Sequence, residues 1–532
     1  MERAPHIPSR IPVHLWLVWL AVLVAGSFVD VMEVDAAQYA TMSRDMLGQA
    51  DPLKLYFRGA DYLDKPPLLF WTSALSFSMF GVHNWSYKLP SILAALMAVY
   101  ATYRYARLFH GPVAAGWAAF LFATSVSFVL MTNDVRTDTL LTAAIMTSVW
   151  TGSEFIIRGR AGWLIAASAS MAAGMLAKGP MGAVAPITIL GVQVLLDRRW
   201  KVLRDPRLLL VPVVIGILLL PMLKGLHDQH GVHGIRFFFW EQSFGRITGE
   251  NRWKDDSSPL YFMHELPWLL LPWTLFMLFG WWTGLRNALA PGGRVERGGP
   301  VGALLLFIAL SLSQFKLPHY LYPILPILAV QGGRAFSDGP PVFLFRLHRI
   351  VAVILAVLAC VIFFWAFPEG WQWTVLMAAA LFVMHMLGGG LPDRTGVLKS
   401  AALWLAIAWG LNFQFYPALL NYQSNAQVGK WMASKQVPPG QLLCVGAGGT
   451  SLEFYGGGKG PYVAEASELS NGPAPGQFVL VASRQLAPLV ERFPPKDTVL
   501  VLEDLPVQVL GVDMIVPHMR PTAVEKRFLL AY

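Results

Sequence analysis

Runs of about 17–22 apolar residues recur between positions 13 and 416, and nothing else in the chain restricts its fold so strongly. A helix needs about 20 residues to cross the hydrocarbon core of a bilayer. Lipid offers backbone N–H and C=O groups no partner, so only helices and closed barrels span it. Barrel strands alternate apolar and polar residues over about ten positions, and these runs do not. Only 14% of the residues are charged and 55% are hydrophobic, whereas soluble domains carry about 25% charge. The pattern predicts an all-α polytopic membrane protein.

Charge then sets the topology. Basic residues cluster in alternate connections: Arg104 and Arg107; Arg158 and Arg160; Arg198 to Arg207; Arg286 to Arg297; Arg334 to Arg349; Arg394 and Lys399. These loops are cytoplasmic by the positive-inside rule. The same rule absorbs the net charge of +9, so a nucleic-acid partner is not expected. Parity fails if the run at 66–80 crosses the membrane. That run is short, opens with two prolines and carries Trp71, which predicts an interfacial helix on the outer leaflet. About thirteen spans remain: 13–29, 88–106, 112–131, 139–157, 161–177, 180–196, 208–225, 266–285, 300–313, 318–333, 350–367, 372–388 and 400–416. The first run ends in Ala25-Gly26-Ser27, faintly like a signal-peptidase site, but is read as an uncleaved helix. Cys360 and Cys444 predict no disulfide.

Domain organisation follows. Residues 1–424 form the transmembrane part, with a first external loop at 30–87 and a second at 226–265. From 425 to 532 short β-like runs such as "QFVLVAS" alternate with a helical "RQLAPLVERF", predicting a small external α/β domain. Its "GAGGTS" lacks the Lys-Ser/Thr pair of a phosphate loop and is read as a turn.

The external side gathers the unusual polar residues: Asp35, Asp138, the Asp64–Lys65 pair, Lys178, Arg246, Lys316, His319 and Tyr320. Ionisable groups at the hydrocarbon edge are costly and face a cavity or a partner. Cations there suit a lipid-borne phosphate, and a carboxylate can take a proton from an attacking hydroxyl. Each residue also has a plain structural reading. Asp138 can cap a helix, Lys178 can snorkel between spans, the diproline after Lys65 can start a helix, and Asp255 and Asp256 can belong to a solvated loop. His264 reads as an interfacial residue. A transporter or lipid flippase, which would place its charges near the midplane and show internal repeats, is the alternative class. An assembly protein whose tail recruits partners is a third.

Taken together, "EVDAAQYATMSRDM", "YLDKPPLLFW", "FGVHNWSYKLPS", "VRTDTLLTA", "LAKGP" and "FKLPHYLYPILP" resemble, in order over residues 30–330, the motifs of the lipid A aminoarabinose transferases. These belong to the wider dolichyl-phosphate-mannose protein mannosyltransferase superfamily. The resemblance implies a GT-C fold and transfer of a sugar from an undecaprenyl-phosphate carrier to a lipid, glycan or protein acceptor. It places the protein as a monomer in the bacterial inner membrane, with its site on the periplasmic face. By position Asp35 matches the catalytic acid and Asp138 the second functional aspartate. Lys65 and Arg246 match residues approaching the carrier phosphate, and Lys178, Lys316 and Tyr320 are grouped with them. Asp64, Glu33 and His319 are supporting residues. The family's D-E-x-R-Y reads here Asp35-Ala36-Ala37-Gln38-Tyr39, without the arginine. The histidine that helps hold a metal in the aminoarabinose transferases is missing from "NRWKDDSSPLYF". No cofactor is required by the pattern; a divalent metal at Asp64 stays open.

Overall fold

The computed structural model describes residues 7–241, 257–290, 296–387, 395–505 and 511–532. The chain is read in order as α1 (Val13–Phe28), α2 (Asp35–Asp45), α3 (Leu68–Phe80), α4 (Asn84–Ala123), α5 (Val126–Asn133), α6 (Thr137–Arg158), α7 (Ala161–Lys178) and α8 (Met181–Leu196). Then follow α9 (Leu210–Arg236), α10 (Tyr261–Leu269), α11 (Thr274–Leu289), α12 (Gly298–Ser311), α13 (Leu325–Asp338), α14 (Val342–Cys360), α15 (Trp371–Leu387) and α16 (Val397–Gly410). The expected spans fall on these helices, on bent pairs of them, or on helices extended by a 3-10 or π-helical turn, as at Pro318–Ile324 and Val361–Ala366. Four helical stretches, Thr137–Arg158, Pro206–Glu241, Val342–Ala366 and Val397–Leu420, are each long and apolar enough to cross a bilayer, or six counting bent pairs, among the described residues.

Local sequence explains the breaks. Gly111 takes φ +82° inside α4, where Pro112 restarts the helix, so one label covers two expected spans. The run at 266–285 is not one straight helix. Pro267 and Pro272 interrupt it, and α10 meets α11 at 119°. The helix at the predicted interfacial run, α3, has 13 residues. At 1.5 Å per residue it reaches about 20 Å, well short of the roughly 30 Å core. It packs instead against α2 and α4.

Small residues bring the helices together, since lipid supplies no hydrophobic force between them. Gly174 of α7 lies against Gly182 of α8, and Gly333 of α13 against Ala114 of α4, where a Cβ would collide with backbone. Polar bonds add register: Asn133 donates to Asn412 at 2.7 Å, and Asn412 donates to the Val22 carbonyl at 2.8 Å. Lys88, fully buried, donates to the carbonyls of Gly26 and Val29 at 3.0 and 2.8 Å. It thereby satisfies the orphan end of α1 and fixes where the first long loop begins.

The C-terminal residues form a five-stranded sheet in the order β4-β3-β5-β7-β6, after a two-stranded β1–β2 ribbon (Tyr56–Phe57, Ala60–Asp61) in the first loop. Here β3 is Leu442–Val445, β4 Tyr462–Val463, β5 Phe478–Ala482, β6 Asp497–Asp504 and β7 Glu525–Ala531. β3 runs parallel to β4 and β5, while β7 is antiparallel to β5 and β6. Two helices, α17 (Ser424–Lys435) and α18 (Thr450–Gly456), face the first long loop. Lys430 pairs with Asp30, Gln423 brackets Val31 and Glu33 at 2.9 Å each, and Arg58 meets Glu453 at 2.7 Å.

Candidate active site

Two antiparallel helices make the core of the site. Asp138 stands in the first turn of α6, and Lys178 ends α7, stopped by Gly179 at φ +76° and Pro180. Each charge therefore sits where its helix dipole favours it. Their side chains meet at 2.5 Å, with Asp138 only 3% exposed. The capping reading of Asp138 gives way to this pair: Arg136 is the N-cap, and no side-chain cap bond forms. Lys178 is no lone anchor either, for its ammonium lies 4.2 Å from the centre of the Tyr320 ring. His319 Nε2 stands 3.9 Å from Asp138 Oδ2, beyond hydrogen-bond range.

Asp35 opens α2 and accepts from Arg136 Nη1 at 2.5 Å. The same guanidinium donates through Nε to Asp134 at 2.8 Å. Burial works against the Arg136 charge, but Asp134 and Asp35 outweigh it and hold the guanidinium protonated more firmly than usual. Tyr39 and Tyr62 lie beside these acids. Burial first, then Asp35 for Tyr39 and Asp64 for Tyr62, pushes both phenols well above their ordinary range, so they stay protonated. Asp64 and Lys65 pair at 2.5 Å. Electrostatic contact ties the groups into one neighbourhood: Arg136 acts on Asp138, Lys65 on His319, and Asp35 on Tyr62.

Two openings are lined by residues of this neighbourhood. A narrow cleft of about 20 Å³ has Tyr62, Lys65, Pro66 and Pro67 on one wall and Met222, Leu226, Phe237 and Phe238 on the other. A larger cavity of about 230 Å³ is lined by Met32, Leu130, Met131, Asp134, Arg136, Trp268, Leu269, His319, Tyr322 and Tyr416.

Other expected site residues are placed differently. Lys316 is 5% exposed and donates to the carbonyl and hydroxyl of Ser257 at 3.1 and 3.3 Å. Glu33 does not support the site. Its carboxylate accepts from Thr450 Oγ1 and Ser451 N at 2.9 Å each, and from the Ser451 hydroxyl. The N-terminus of α18 offers donors that an anion satisfies, so the "GAGGTS" turn binds an internal carboxylate. Arg246, Asp255 and Asp256 lie outside the described residues. Asp64 is engaged with Lys65, and no cluster of three or more His, Cys, Asp or Glu side chains suited to a metal occurs among the described residues.

A model of the dolichyl-phosphate-mannose-protein mannosyltransferase family matches residues 64–224. An undecaprenyl phosphate-alpha-4-amino-4-deoxy-L-arabinose arabinosyl transferase of Edwardsiella ictaluri is 29% identical over 310 residues, 56% of this chain and 54% of the relative. One from Pseudomonas fluorescens is 26% identical over 422 residues, 73% of this chain and 70% of the relative. The chain spans about half the length of the first of these. The crystal structure of ArnT from Cupriavidus metallidurans bound to undecaprenyl phosphate matches with a TM-score of 0.74, covering 97% of both chains at 21% identity. Over residues 64–224 the chain is similar to this family, and it has the GT-C fold of the ArnT structure. It is a multi-pass membrane protein.

Arg136 and Asp134 are what the sequence reading passed over. Gln38 stands where the motif carries an arginine, and in this chain a guanidinium reaches Asp35 from the α5–α6 connection instead. The signal was present in "TNDVRTDT", where Arg136 lies two residues before Asp138.

Proposed function

We propose that this protein is a glycosyltransferase of the bacterial inner membrane that moves a sugar from an undecaprenyl-phosphate carrier to an acceptor at the periplasmic face. The observation that supports this reading is the Asp35–Arg136 pair standing in one electrostatic neighbourhood with two lysine–carboxylate pairs, Asp64–Lys65 and Asp138–Lys178. Lys65 and Lys178 each hold one carboxylate, and each can share its charge with an arriving phosphate. Lys65 lines a cleft between the first loop and α9 whose other residues are largely apolar, as a polyprenyl tail requires.

The acceptor oxygen attacks the anomeric carbon, the C1–O bond to phosphate breaks, and its electron pair leaves on the carrier phosphate. The acceptor's proton passes to Asp35, whose side chain is 43% exposed and is held in place by Arg136. Lys65 and Lys178 stabilise the charge that develops on the leaving phosphate. One displacement inverts the anomeric carbon.

The test uses cells lacking the gene, complemented with wild-type or Asp35→Asn protein, and mass spectrometry of envelope lipids and glycans. The wild type restores a hexose, pentose or aminosugar increment with inverted linkage. Asp35→Asn, inserted at equal level, lowers it by about 10²–10⁴-fold. Full restoration by Asp35→Asn would refute the role of Asp35.

A further inference from the structure

A cavity of about 350 Å³ lies among the ends of α4, α11 and α13, far from Asp35. Tyr87 of α4 donates to the carbonyl of Ala36, beside Asp35, at 2.7 Å. His110, which lines the cavity, stands about 35 Å further along the same helix at 1.5 Å per residue. That is about the thickness of a bilayer core, so the cavity lies at the opposite end of the bundle. Its floor is held by Glu296, 3% exposed just ahead of α12. This carboxylate accepts from the Tyr105 hydroxyl at 2.8 Å and from Gln331 Nε2 at 2.6 Å, and lies 2.7 Å from His110 Nε2. Glycines make room for the network: a Cβ at Gly299 would come within 1.8 Å of Glu296 Oε1, and one at Gly284 within 2.3 Å of Gln331 Oε1. Gln331 Oε1 is buried without a hydrogen-bond partner among the described residues, which leaves the floor one donor short.

Charge changes sign between the interior of this cavity and its rim. The lining holds two carboxylates, Glu296 and Asp338, against one guanidinium, Arg334. That guanidinium is already engaged, by Asp338 at 3.1 Å, the Gly280 carbonyl at 2.9 Å and the Thr283 hydroxyl at 2.6 Å. Asp338, at the mouth, keeps its side chain 62% exposed. Arg107, one turn before His110, and Arg286, next to the lining residue Asn287, are exposed, and neither forms an ion pair among the described residues. An anion alone would meet the carboxylates inside, and a cation alone would leave the rim unanswered. We propose that the cavity binds the phosphoethanolamine headgroup of a phospholipid from the adjoining leaflet. Its ammonium, with three donors, enters toward Asp338 and the floor, and its phosphate meets Arg107 and Arg286 in charge-assisted bonds. Trp282 and Leu289 of α11, 51% and 71% exposed, give the acyl chains an apolar surface. This site stands apart from the transferase reading and does not depend on it.

The test is native mass spectrometry of the full-length protein released from nanodiscs that hold equal amounts of phosphatidylethanolamine, phosphatidylcholine and phosphatidylglycerol with the same acyl chains. Phosphatidylethanolamine is expected to be retained about tenfold more than either of the others, since choline has no N–H donor and glycerol no positive charge. Asp338→Asn should lower that preference about fivefold, and Arg107→Ala combined with Arg286→Ala should weaken retention by a similar factor. Ser337→Trp, which fills the mouth, should abolish the preference. Unfolding in sodium dodecyl sulfate that matches the wild type shows each variant to be folded. Soluble glycerophosphoethanolamine at the same concentration should not displace the lipid, because it lacks the chains that bury apolar surface. Equal retention of the three lipids, an unchanged preference in Asp338→Asn and Ser337→Trp, or full displacement by the soluble headgroup would overturn the assignment.

Discussion

The Asp138–Lys178 pair gives the sharpest energetic test of the site. Asp138 is 3% exposed and Lys178 18%, with 2.5 Å between nitrogen and oxygen. Removing one partner of a buried pair costs about 3–5 kcal/mol, because the other charge stays desolvated. Lys178 keeps some water and the face of Tyr320 at 4.2 Å, a cation–π contact worth about 0.5–1 kcal/mol. Asp138→Asn should therefore cost about 2–3 kcal/mol, and Lys178→Met a similar amount by stranding the carboxylate. Removing both leaves no bare charge, so the double variant should cost little more than either single one. The coupling energy is then about 2 kcal/mol. Unfolding by sodium dodecyl sulfate in mixed micelles, followed by tryptophan fluorescence, measures all four proteins; the 20 tryptophans give ample signal. Additive single effects, or single effects below about 0.5 kcal/mol, would show that the pair is not the buried contact described.

Two further outcomes follow from the C-terminal region. Glu33→Gln weakens the charge-assisted bonds to Thr450 and Ser451, worth about 1.5–3 kcal/mol; it should speed limited proteolysis of residues 424–532 while leaving the transmembrane helices intact. Burial pushes the Cys444 thiol up to about 12, above the roughly 8.5 of an unfolded thiol, so native protein at pH 8 should resist alkylation there until denatured. The folded state keeps that proton longer than the unfolded one, so this group's contribution to stability falls between about pH 8.5 and 12, by up to about 1.4 kcal/mol per pH unit.

The helical pattern is legible in the sequence because apolar length alone decides what lipid tolerates. The interfacial helix is legible too, since 66–80 broke the charge parity that every other run obeyed. The site is only half visible. Asp138 and Lys178 announce themselves as charges at the ends of adjacent apolar runs. Arg136 does not, because its partner Asp35 lies 101 residues earlier and no local pattern records the approach. Glu33 misleads for the opposite reason: its nearness to Asp35 in sequence suggests a shared role, yet its carboxylate turns toward donors 417 and 418 residues away. Lys88 reads as an ordinary basic residue at a span boundary, and only the packing of α1 against α4 shows that it is buried.

The clasp between Glu33 and Ser451 bears on when the protein becomes competent. A ribosome adding about 5–20 residues per second needs roughly 20–80 s to travel from one to the other, during which the early helices are already in the bilayer. Until Thr450 and Ser451 emerge, Glu33, two residues before Asp35, lacks the partners that fasten it. A nascent or truncated chain thus reaches the membrane with the Glu33 carboxylate unpartnered, and the backbone that carries Asp35 is fastened on this side only when residues 450 and 451 arrive.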